Sequence, residues 1–121
     1  MYVQFAELPV RDQARAKQFY VENLGCAVAA DAPTRSDGWR WIELKFAGSE
    51  TTLHLVHAMG EDASDGPVLV LVDDNVAATV EGLRSKGVEI LTEPHNPSWQ
   101  PGRTVAEFRD SEGNRMVIGS R

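Results

Sequence analysis

Cysteine is nearly absent from this chain. Cys26 is the single thiol in 121 residues, which excludes an internal disulfide and fits a reducing, cytoplasmic setting. No apolar run approaches the ~20 residues that a membrane-spanning helix needs. Met1 to Pro9 lacks the basic-then-apolar layout of a secretion signal, so no membrane partner is expected. Basic charge is in short supply: 12 Lys and Arg against 18 Asp and Glu leave a net charge of −6. Such a surface repels nucleic-acid phosphates, so nucleic acid is not an expected partner. It would attract a cationic small molecule, although a merely solubilising surface accounts for the same charge. The usual nucleophile signatures are missing too: there is no Gly-x-Ser-x-Gly, phosphate loop or CxxC pair. Ser49 and Ser64 lie in turns with no histidine close by in sequence. Cys26 has no neighbouring helix N-terminus or basic residue to activate it. Aromatics make up 7% of the chain, so where the three tryptophans fall carries information.

What the chain does have is a repeat. Val10-Arg11-Asp12 is followed, thirteen residues after Asp12, by Gly25-Cys26-Ala27-Val28. Val72-Asp73-Asp74 is followed by Gly87-Val88-Glu89-Ile90 at the same step. Asp12 and Asp74 stand where an N-cap carboxylate accepts the free N–H groups of a first helical turn. Gly25 and Gly87 stand where a helix ends in the left-handed conformation that suits glycine. Two copies of one small module usually pair edge to edge and enclose a cleft.

Periodicity fills in the modules. Val3 to Val10 alternates as a strand, and Asp12 to Leu24 places Ala16, Phe19, Tyr20 and Leu24 at helical spacing. Cys26 to Ala30, Trp39 to Phe46 and Thr52 to His57 read as three further strands, the last two forming a hairpin. The second copy predicts a strand over Pro67 to Val72 and a helix over Asn75 to Lys86. Strands then follow over Val88 to Leu91, Arg103 to Arg109 and Arg115 to Ile118. Thr92 to Gly102, with three prolines and Trp99, reads as a loop long enough to act as a lid. With 42% hydrophobic residues the chain is expected to be a single soluble α+β domain over 1–121. Module 1 covers about 1–59, a linker 60–66, and module 2 about 67–121.

Leu8-Pro9-Val10-Arg11-Asp12 through Phe19-Tyr20 and Asn23-Leu24-Gly25 resembles the opening of the glyoxalase/bleomycin resistance/dioxygenase group, the vicinal oxygen chelate superfamily. Leu83 to Val88 and Phe108-Arg109-Asp110-Ser111-Glu112-Gly113-Asn114-Arg115 resemble its second half. The resemblance implies two βαβββ modules, paired into a curled mixed sheet that forms a cup and usually completed in a homodimer. The scaffold hosts isomerases, dioxygenases and non-catalytic drug binders, so it does not by itself fix an activity.

The resemblance also implies four metal-ligand positions, matched here by Phe5, His54, Pro67 and Val117. Phenylalanine, proline and valine offer no donor, and one histidine is too few to hold a divalent ion against water. No metal and no cofactor are therefore expected. The alternative is a glyoxalase-type lyase or isomerase, or a dioxygenase-related enzyme. It would use either a displaced metal site drawn from Glu7, Glu43, His54 and Glu107, or a Glu–His acid/base pair. The catalytic candidates are then Glu7, His54 and Glu107. For His54 a polar residue tolerated on a half-open sheet face is the plainer account.

Alternation sends Trp39 and Trp41 to one face of their strand beside Glu43, while Leu53 and Leu55 face away from His54. Core packing accounts for the two indoles as well, but Ile42, Leu44 and Phe46 already supply that strand with core residues. The expected function is metal-free binding of a small aromatic or cationic, drug-like molecule, as in bleomycin-resistance-type proteins. Its walls are Phe5, Glu7, Trp39, Trp41, Glu43, His54, Trp99 and Glu107, with stacking and cation–π contacts as the forces.

Overall fold

The computed structural model of the chain describes residues 1–34, 36–58 and 66–121. The expected linker over 60–66 lies, apart from Gly66, outside the described residues. The chain divides into two compact units, Met1–Gly60 and Glu61–Arg121. Each runs β-α-β-β-β, the α+β order expected from the repeat.

In the first unit the elements are β1 (Phe5–Val10), α1 (Gln13–Leu24), β2 (Ala27–Pro33), β3 (Arg40–Lys45) and β4 (Thr52–His57). The strands form one sheet in the order β1-β4-β3-β2. β1 and β4 are parallel, and the other neighbours are antiparallel. Alternation dictates the layering: Leu8, Val10, Ile42, Leu44, Leu53 and Leu55 are buried with Ala16 and Tyr20 of α1. The helix starts where Asp12 accepts the Arg15 N–H at 3.0 Å. It ends at Gly25, whose φ of 71° is left-handed and so costs glycine least.

One side chain changes the sheet. The β3–β4 ladder runs only from Lys45↔Thr52 to Glu43↔His54. Beyond it the strands fork, and Gln13, buried at the start of α1, fills the gap. Its amide donates to the Arg40 carbonyl at 2.7 Å and to the Leu55 carbonyl at 3.3 Å, and accepts the Arg40 N–H at 2.9 Å. Backbone groups that would otherwise be buried without partners are satisfied by a side chain instead.

The second unit comprises β5 (Leu69–Val72), α2 (Val76–Ser85), β6 (Ile90–His95), β7 (Val105–Arg109) and β8 (Arg115–Gly119). Its sheet order is β5-β8-β7-β6. Val76, Val80 and Leu83 of α2 are buried, as are Ala106, Phe108, Met116 and Ile118 of the sheet. Three differences from the sequence reading have physical causes. The N-cap of α2 is Asn75, which accepts the Ala78 N–H at 3.1 Å, not Asp74. Three capping residues in a row made the choice ambiguous. Asp73 takes the Asn75 N–H at 2.9 Å and the Thr79 hydroxyl, while Asp74 meets Arg121 at the surface. β6 extends to His95 and β2 to Pro33, through stretches rich in turn residues. Both are edge strands, where a proline need not donate to a neighbour, and in β6 a register irregularity between Thr92 and His95 spans Pro94.

The Gln13 wedge carries a prediction. Gln13→Ala removes both donors and the acceptor, leaving the Arg40 and Leu55 backbone groups in a site largely closed to water. Unfolding in urea should show a loss of roughly 1–3 kcal/mol, the cost of stranding such groups. A loss near zero would mean that water replaces the amide.

Candidate functional site

The face of the first sheet opposite α1 collects six of the eight residues singled out above. In the β1–β4 register Glu7 stands beside His54 and Phe5 beside Thr52. In the β3–β4 register Glu43 stands beside His54. His54 is therefore flanked from both neighbouring strands. Its Nδ1 lies 3.0 Å from Glu7 Oε2. The Trp41 ring stacks on its face, with centroids 3.8 Å apart and planes 27° apart. Phe5 meets it edge-on at 5.3 Å and meets Trp41 at 6.0 Å.

Glu43 anchors Trp41. Its carboxylate accepts the Trp41 Nε1–H at 2.8 Å and the Thr52 hydroxyl at 2.6 Å. The Thr52 hydrogen bond first, and the Trp41 indole second, hold the Glu43 carboxyl below the usual carboxylate range against the opposing effect of burial. Trp41 is thus fixed by one face and one edge, yet it remains 37% exposed. Two residues earlier Trp39 stacks on His57, with centroids 4.6 Å apart. Both Trp–His pairs bridge β3 and β4 at and beyond the end of their ladder. Around them opens a slot of about 380 Å³ lined by Thr34, Trp39, Arg40, Trp41, His54, Val56 and His57.

His57 was not singled out from the sequence, because strict alternation puts it on the opposite face from His54. The fork at the end of β4 brings it against Trp39. Gln13 and Thr52 were also missed: a glutamine in a first helical turn and a threonine in a strand carry no distinctive signal.

Glu107 and Trp99 belong to the second unit. Glu107 stands beside Val117 on β8 and accepts from Arg115 at 2.6 Å and Thr92 at 2.9 Å. Burial pushes its carboxyl up, but Arg115 and Thr92 together outweigh that and keep it low. Its charge is neutralised inside the unit. Trp99 is 73% exposed and packs on no other described ring.

The family's divalent ion can be tested against these side chains. In the second sheet Val117 is flanked by Val70, another residue without a donor, and by Glu107, whose carboxylate is held by Arg115 and Thr92, while Pro67 lies ahead of β5. In the first sheet His54 spends Nδ1 on Glu7, and both Glu43 oxygens are taken. Among the described residues no three His, Cys, Asp or Glu side chains are placed to hold a metal. The donor set does not fit the ion. Cys26 offers no substitute chemistry, since burial pushes its thiol up to about 12.

A larger depression of about 520 Å³ lies between α1 and the β2–β3 edge, lined in part by Val21, Val28 and Ile42. Its charges satisfy one another: Asp31 accepts from Lys17 at 2.8 Å and from Arg40 at 2.5 Å. The slot beside His54 has the richer set of recognition groups.

A family model described as the glyoxalase/bleomycin resistance protein/dioxygenase superfamily matches residues 2–118. The chain is 33% identical over 111 residues to YetH of Bacillus subtilis, itself uncharacterized, covering 90% of this chain and 89% of that one. It is 34% identical to the crystal structure of TnmS3, an antibiotic binding protein from Streptomyces sp. CB03234. That match has a TM-score of 0.80 and covers 100% of this chain and 94% of the other. A superfamily member from Sphaerobacter thermophilus shares the fold at a TM-score of 0.86 and 23% identity, covering 100% of this chain and 98% of that one.

Glu43 supplies a pH prediction. Its folded value lies below its unfolded one, so the stability it contributes is present above the ordinary carboxylate range. That stability is lost as pH falls through the lowered value. Thr52→Val removes the larger cause, so the Glu43 carboxyl should titrate closer to its ordinary range in a carbon-13 NMR titration. Acid unfolding should begin at a higher pH. An unmoved titration would assign the shift to Trp41.

Proposed function

Because the chain belongs to the glyoxalase/bleomycin resistance protein/dioxygenase superfamily, we propose that it binds a small aromatic or cationic organic molecule without a metal. The binding site is the open face of the first unit. The observation that carries this is the Trp41 ring, pinned by His54 and Glu43 yet still partly open. A ring already held in place offers a stacking surface whose ordering cost is met in the folded state, which favours binding. Glu7, half-exposed at its side chain, supplies negative charge at the rim for a cationic group. The similarity to TnmS3, an antibiotic binding protein, points the same way.

One contact favours a second reading. The Glu7–His54 pair at 3.0 Å has the geometry of an oriented general base, as the enzyme alternative requires. Elemental analysis separates the metal-dependent form of that alternative from a binder. The purified protein should carry no stoichiometric nickel, zinc, iron or manganese. About one ion per chain, lost in His54→Ala, would overturn the metal-free reading.

Two further expectations belong to this proposal. An aromatic cation should quench tryptophan fluorescence, and Trp41→Ala should weaken its binding by roughly 1–2 kcal/mol, the order of one stacked or cation–π contact. A sharp fall in melting temperature with unchanged affinity would make Trp41 structural only. Each sheet also ends in edge strands, β1 and β2 in one and β5 and β6 in the other. Unpaired edges invite association, and a closed homodimer is the commonest way to satisfy them. Sedimentation of a monomer at micromolar concentration would reject it.

A further inference from the structure

The hydrogen bonding of His54 defines what its ligand must present. Glu7 Oε2 lies 3.0 Å from His54 Nδ1, and a carboxylate can only accept, so in the neutral ring the proton is on Nδ1. Nε2 then carries a lone pair. Among the described residues nothing donates to it, and it is not sealed from solvent. His54 lines the slot together with Trp39, Trp41, Val56 and His57. Trp41 covers one face of the imidazole and Phe5 meets its ring edge-on, so rotation that would exchange the two nitrogens is blocked on two sides. Flat aromatic walls and one fixed acceptor thus belong to the same small set of side chains.

We propose that the site selects planar aromatic molecules carrying a hydroxyl or N–H donor at the ring edge, which donates to His54 Nε2. Glu7 is the positioning residue that fixes the tautomer. This rests on the binding function proposed above and adds to it a polarity requirement. A phenol is preferred over its methyl ether, because the ether leaves Nε2 facing a group that cannot donate. The same logic excludes an aromatic acceptor, such as a bare ring nitrogen, from that edge.

The test uses a matched pair of probes, 6-hydroxy- and 6-methoxy-2-naphthylmethylammonium, titrated calorimetrically into the full chain at about pH 8, where a free imidazole is neutral. The hydroxyl probe should bind about tenfold tighter, the order expected for one net hydrogen bond. In His54→Phe, which keeps a ring for Trp41, the preference should vanish, the two probes binding with equal affinity. In Glu7→Gln, whose amide can donate to Nδ1 as well as accept from it, the preference should shrink several-fold. Nitrogen-15 NMR of the unsubstituted protein reads the tautomer without any variant, and should show the proton on Nδ1. A proton on Nε2, equal binding of the two probes, or a preference that survives His54→Phe would each overturn the inference and leave the binding function standing. Failure of both probes to bind would overturn the binding function together with it.

Discussion

Gln13 sits where a helix begins and a sheet comes apart, and the geometry of the site follows from it. Directly after the N-cap Asp12, its side chain turns back to the sheet and bonds the Arg40 backbone at both its N–H and its C=O. A strand cannot be paired by a side chain and by a neighbouring strand through the same groups. The β3–β4 ladder therefore stops at Glu43↔His54, and the slot opens beyond it. On the helix side the amide closes the gap. On the other side the gap is bridged by Trp41 on His54 and Trp39 on His57. A net hydrogen bond and an aromatic pair are each worth about 0.5–1.5 kcal/mol. Neither side dominates, and the aromatic pairs that offer a binding surface also help hold the fork.

The two units share a topology but present different chemistry on the faces away from their helices. In the first, rings and carboxylates surround a histidine. In the second, Val70 and Val117 stand side by side, and Arg103 lies over Gly119, where a Cβ would come within 2.7 Å of its guanidinium. Arg115 neutralises Glu107 within the second unit. Glu7 keeps one oxygen without a partner among the described residues, and its side chain is half-exposed, so it can meet a cationic group. A duplicated scaffold can thus keep its core in both copies while recognition groups concentrate in one, which is how one fold supports unrelated functions.

The strand-helix-strand order, the two capping glycines and the inward leucines were legible because each is written in local periodicity or local backbone preference. The lengths of β2 and β6 were not, since proline reads as a breaker and only sheet position shows that these are edges. The N-cap of α2 was hidden by Asp73, Asp74 and Asn75 standing in a row. Alternation placed Phe5, Glu7, Trp41, Glu43 and His54 on one face correctly. It could not show that His54 is held from three sides, nor that His57 swings against Trp39. Those depend on register between strands distant in sequence and on a fork made by a single glutamine.

Trp41 has two demands on it that usually conflict. A structural aromatic is covered on both faces, and a recognition aromatic is often free on both and loses rotamer freedom on binding. Here His54 covers one face and Glu43 holds the indole N–H, while more than a third of the residue stays open. As a carboxylate Glu43 accepts from Trp41 and Thr52 together, and those same bonds favour its ionised form. The charge, the ring orientation and the open stacking surface are thus one arrangement, and loss of the Thr52 hydroxyl reaches the ring through Glu43 without touching either aromatic.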